Sequence, residues 1–162
     1  VSVRIKSFLR KADGNFVPVQ SWKGPIGDTD YLEGALELNV NGTPLITTAM
    51  WDYIDQLWAY ILNSLNELAS DNSSHAYFPD QPIKLEMKRI ARGVLHVSIG
   101  SRSGKFNNST RVQEGEFVQN LIDAGEGFFL QMQELDPESG SQYEIEIERI
   151  AALRSAYSTR DC

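Results

Sequence analysis

Few residues in this chain have types and spacings that could do chemistry. His75 and His96 are the only histidines, and neither has a second His or a Cys at ligand spacing, so no zinc site is expected from a local motif. The run Gly100-Ser101-Arg102-Ser103-Gly104-Lys105-Phe106 follows a strand-like segment, as a phosphate loop does. It has three residues between its glycines instead of four, and Phe106 stands where a Mg²⁺-binding Ser or Thr belongs. Asn107-Asn108 then opens no helix whose N-terminus could take phosphate, so that reading fails. Asp52 and Asp55 are carboxylates three residues apart at the start of a helix-like stretch. As an acid/base pair they would need a pocket that splits their pKa values. The plainer role is to complement the positive end of a helix. Lys84, Glu86 and Lys88, with Arg89 and Arg92, form a strand face that could meet RNA. Its signs are mixed and no aromatic residue interleaves them, so a solvated face is expected. No G-x-S-x-G, G-x-G-x-x-G or H-E-x-x-H occurs. The expectation is a protein with no catalytic residue, no metal and no cofactor.

The elements that would position these residues are clearer. Met50–Ser70 carries Ile54, Leu57, Trp58, Ile61, Leu62, Leu65 and Leu68 at steps of three and four, which predicts a long amphipathic helix with Thr47 or Thr48 as its N-cap. Before it, Ser2–Arg10 alternates like a strand, and Asp13-Gly14 turns the chain into a second strand over Asn15–Trp22, with Pro18 placing that strand at an edge. Leu32–Val40 and Thr43–Thr47 flank Asn41-Gly42, a strong hairpin signal. After the helix, Ser70–Ser74 reads as a polar loop and Tyr77–Pro82 as extended chain. Ile83–Lys88 and Val94–Ile99 alternate as strands about a turn at Ala91-Arg92-Gly93. Gly100–Thr110 reads as loop, with a short strand over Lys105–Asn108 as the alternative. Gly115–Leu135 is a second helix, in which Gly125 and Gly127 point to close packing or a kink, and Asp136-Pro137 ends it. Gln142–Tyr157 reads as helix in preference to strand. The whole, residues 1–162, is expected to be one α+β domain: a mainly antiparallel sheet with about three helices packed on it.

Composition narrows the class of function. Hydrophobic residues make up 41% of the chain and charged ones 23%, which is globular and not disordered. No apolar run reaches the ~18 residues of a membrane helix. The N-terminal stretch alternates and does not resemble a signal peptide, and Cys162 is the single cysteine, so a cytoplasmic protein without disulfides is expected. Net charge is −7, and nine acids fall between Gly24 and Ile83 without one Lys or Arg. Ten more acids fall between Val112 and Glu148, again without a base. Such runs argue against nucleic acid as the main partner and favour a basic one, since opposite fields raise encounter rates. A surface that only keeps the protein soluble is the competing reading.

The segment WDYIDQLWAYILNSLNEL, followed by HAYFPDQPIKLEMKRI leading into a strand pair, resembles small cytoplasmic immunity proteins of bacterial polymorphic and contact-dependent toxin systems. The likeness spans roughly Leu32 to Leu135 and rests on hydrophobic layout, not on a catalytic motif. It implies a non-catalytic protein that neutralises a cognate toxin C-terminal domain by forming a tight 1:1 complex. Toxin domains that cut nucleic acid are usually basic, which agrees with the charge argument. The expected contacts are the acids Asp28, Asp30, Glu33, Glu37, Asp52 and Asp55, with Tyr53 and Tyr60 as aromatic anchors. Two alternatives remain. An assembly adaptor would show an exposed apolar patch with a two-fold contact. A small enzyme with a dispersed carboxylate site would show a deep pocket holding acids with opposed pKa shifts.

Overall fold

A computed structural model describes residues 2–158, and Cys162 lies outside them. The first sheet is antiparallel throughout. β1 (Val3–Arg10) lies between β2 (Phe16–Pro18) and β3 (Glu33–Val40), and β4 (Thr43–Ile46) flanks β3. Asn41 and Gly42 join β3 to β4 with φ of 52° and 84°, the left-handed values a two-residue hairpin turn demands. β2 is an edge strand and ends at Pro18, where a missing N–H costs no ladder bond. It is shorter than its sequence suggests, because Val19–Ser21 turns into a single 3-10 turn.

The central helix begins later than its apolar pattern. α1 spans Ile54–Ser70, while Thr48–Met50 forms a 3-10 turn and Asp52–Tyr53 forms a short strand, β5. β5 pairs antiparallel with the start of β3, matching Glu33 with Tyr53 and Gly34 with Asp52. That pairing holds residues 52–53 extended, so neither Thr47 nor Thr48 caps the helix. The Leu32 carbonyl accepts the Ile54 N–H at 2.9 Å, and Asp55 Oδ1 accepts the Gln56 N–H at 2.8 Å. The stripe itself is as expected: Leu57, Trp58, Ile61, Leu62, Leu65 and Leu68 are all buried.

The second sheet is a meander of β6 (Ser73–Tyr77), β7 (Ile83–Ala91), β8 (Val94–Ser101) and β9 (Asn107–Gln113). Two of its strands replace expected loops. β9 buries only Val112 fully and β6 only Ser74 and Ala76, so neither carries the apolar alternation that marks a strand. Their ladders to β8 and β7 make them strands, and propensity yields to that long-range pairing. Ala76, Leu85, Met87, Leu95, Val97, Ile99 and Val112 face the core.

α2 (Glu114–Leu135) and α3 (Gly140–Ser158) complete the α+β domain, and one apolar cluster joins both sheets and all three helices. Trp58 sits at its centre. Its Nε1 donates to Ser7 Oγ on β1 at 3.0 Å, and its ring stacks on Phe128 of α2 with centroids 6.5 Å apart. Gly125 is where α2 passes over this indole: a Cβ there would meet Trp58 Cε3 at 3.2 Å. Close packing, and not a kink, is the reason for that glycine. Arg89 ties the helix ends to the second sheet, donating to Glu114 at 2.6 Å and to the Leu68 carbonyl at 3.1 Å.

Candidate functional site

The residues that could do chemistry are dispersed. His75 is exposed on β6 and His96 half-buried on β8, and among the described residues no group of three or more His, Cys, Asp or Glu could hold a metal ion. Gly100–Phe106 comprises the end of β8 and the β8–β9 turn. Gly104 has φ of 79°, and the Phe106 N–H donates to Ser101 Oγ at 3.0 Å, so the segment closes a hairpin and opens no helix.

Asp52 and Asp55, expected to project toward a partner, are both buried, at 3% and 8% exposure. Asp52 accepts the N–H groups of Tyr53 (2.8 Å), Asp80 (3.1 Å) and Gln81 (2.9 Å), so it fastens the 78–82 turn to β5. Asp55 accepts the Tyr143 hydroxyl at 3.3 Å, beneath α3. Neither can steer a partner from there, and reversing their charge would disrupt the fold.

Burial pushes the Asp55 carboxyl above its usual pKa, against the opposing pull of the Gln56 N–H and the Tyr143 hydroxyl. Burial also pushes up Tyr143, with Asp55 adding to it. A carboxyl whose folded pKa exceeds its unfolded value of about 3.9 contributes full stability below that value. The contribution is lost as pH rises through the raised pKa. Asp55→Asn keeps an acceptor for the Gln56 N–H and removes the buried charge. Its stability relative to the native chain should therefore increase from acid pH toward neutrality in paired urea melts. A pH-independent difference would show that Asp55 is not the strained carboxylate described.

The exposed residues converge elsewhere. Tyr31, 61% exposed, lies against Tyr53 with ring centroids 5.5 Å apart, and Tyr53 is paired with Glu33 across β3–β5. Desolvation raises the Tyr53 pKa, and Asp80, Glu33 and Asp52 raise it further, which marks a gathering of negative charge around this ring. Two grooves meet at Glu33. One, about 240 Å³, runs past Trp51, Tyr53, Asp80 and Gln81. The other, about 490 Å³, runs between the end of β1 and the 22–32 loop, past Trp22, Asp28 and Tyr31. In that loop Asp28 accepts the Asp30 N–H at 2.9 Å, and both side chains are exposed. The Trp22 Nε1–H is buried without a hydrogen-bond partner beside the groove, a state that native structures seldom leave unexplained.

Of the contacts read from sequence, Asp28, Asp30, Glu33 and Tyr53 come together here. Glu37 does not: it lies on the outer side of β3 directly opposite Lys6. Tyr60 is exposed in a different groove, between α1 and α3. Nor is the acidic run a uniform field, because β1 brings bases to it. Arg10 bridges Glu33 at 2.8 Å and stacks over Trp51 with its guanidinium carbon 4.3 Å from the ring centroid. Sequence reasoning overlooked Tyr31, Trp51 and Asp80. The Pro79-Asp80-Gln81-Pro82 turn chemistry was the available signal for Asp80. No protein-family model, curated protein or solved structure matches the chain.

Proposed function

We propose that this is a non-catalytic binding protein that takes a basic protein partner in the groove around Tyr31 and Tyr53. The observation that carries this reading is exposed Tyr31 packed on half-buried Tyr53, with Asp28 and Asp30 in the loop beside Tyr31 and Asp80 beside Tyr53. Exposed tyrosines present a large rigid surface, and a partner Arg can stack on the ring while it pairs with a neighbouring carboxylate. Surrounding carboxylates raise the encounter rate of a cationic partner and select its sign. The biological role that fits is that of a cytoplasmic immunity protein which neutralises a cognate toxin domain, as the sequence resemblance implies.

The test needs a cognate toxin domain, to be sought among the products of neighbouring genes. Tyr31→Ala should weaken binding about tenfold or more, mostly through faster dissociation. Reversing Asp28, Asp30 and Asp80 to Lys should slow association and flatten its dependence on salt. All four side chains are exposed or half-buried on loops, so the variants should melt like the native chain. Unchanged affinity and full protection from these variants would overturn the proposal.

A further inference from the structure

The second sheet has a bare side. Its outward positions line up across the strands, and among the described residues no helix covers them. Lys88, His96 and Arg111 form one row, and His75 stands beside Glu86 in the next. The third row runs Tyr77, Lys84, Gly100, Asn107. Glu86 is the one acid among these outward positions, and Lys84 Nζ lies 3.5 Å from it. A chain of net charge −7 thus turns a cationic, aromatic-edged face to solvent here. β6, its first residues expected to be loop, delivers the aromatic rings that the β7 face lacks in sequence.

At one end of this face is a slot of about 370 Å³, walled by Tyr77, Lys84 and Arg102 with Gly100 among its lining. Tyr77 is 59% exposed, and His75 meets its ring edge-on with centroids 4.9 Å apart. A Cβ on Gly100 would touch nothing within 4 Å, so the space above that backbone is open. A flat group can lie there beside the Tyr77 ring, with an anion reaching Lys84 or Arg102. Lys88 and Arg111 continue the cationic row along the sheet.

We propose that this face binds single-stranded nucleic acid. The match is chemical: a single strand alternates stackable bases with phosphates, and this face sets the Tyr77 ring and two imidazoles beside Lys84, Lys88 and Arg111. An acidic peptide would satisfy the cations but give Tyr77 nothing to stack on. A duplex would hide its base faces. The 78–82 turn borders both this face and the Tyr53 groove, but Tyr77, Lys84 and Lys88 do not line that groove and Tyr31 does not line this slot.

The experiment is fluorescence anisotropy of the full chain with a labelled single strand of about 12 nucleotides, over a salt series. The same sequence as a duplex and a labelled polyglutamate serve as comparators. The single strand should bind most tightly. Tyr77→Ala should weaken it about tenfold without changing the salt slope. Lys84→Ala and Lys88→Ala should each reduce that slope by about 0.7. Tyr31→Ala should leave binding unchanged. Absence of binding at low salt would overturn the proposal. So would equal binding of polyglutamate that ignores Tyr77→Ala, which would assign the face to an acidic protein, or equal binding of the duplex.

Discussion

Trp58→Ala should cost the fold about 3–5 kcal/mol, among the largest losses available to a single substitution in this chain. The indole is fully buried and is touched from three sides: Ser7 of β1, Phe128 of α2 and the bare backbone of α2 at Gly125. Truncation leaves a cavity that these rigid neighbours cannot close, and it strands the Ser7 hydroxyl. Trp58→Phe separates the two effects. It keeps most of the volume but loses the Nε1–H donor, so it should cost about 1–3 kcal/mol. Denaturant melts with an unchanged m-value measure both losses. A loss below about 1 kcal/mol for Trp58→Ala would mean that α1 is not the centre of the core.

What was legible in the sequence had a local cause. Asn41-Gly42 announces its hairpin because both residues need positive φ, and the structure has both. The Leu57–Leu68 stripe announces α1 because helical spacing alone builds one apolar face. The start of α1 was not legible, since residues 52–53 are held extended by β3, about twenty residues earlier in the chain. β6 and β9 were hidden for a similar reason: they are polar on the outside and become strands by pairing. The charge pattern misled most. A run without bases in sequence is not a field without bases in space, because β1 lays Arg10 against Glu33 and Lys6 opposite Glu37. The candidate site was half legible. Its acids came from composition, but the aromatic pair that gives it shape needed the fold.

Asp52→Ala should cost about 2–4 kcal/mol and also weaken partner binding, although Asp52 would touch no partner. Its two oxygens accept three N–H groups, from Tyr53, Asp80 and Gln81, and Gln81 Nε2 donates in turn to the Trp51 carbonyl. Without the carboxylate the 78–82 turn loses its anchor to β5, and Asp80 is no longer held beside Tyr53. Asp52→Asn should rescue little. Asn has one accepting oxygen, so its NH₂ would face the Asp80 or Gln81 N–H, donor against donor. The functional loss should therefore follow the loss of the turn. Amide exchange at Asp80 and Gln81 should accelerate in both variants, and the association rate with the proposed basic partner should fall toward that of Asp80→Ala. An Asp52→Asn chain with native stability, native exchange at these amides and native association would show that the carboxylate is not what holds the turn. The groove beside Tyr53 would then owe its shape to the Gln81–Trp51 contact and to β3–β5 pairing alone.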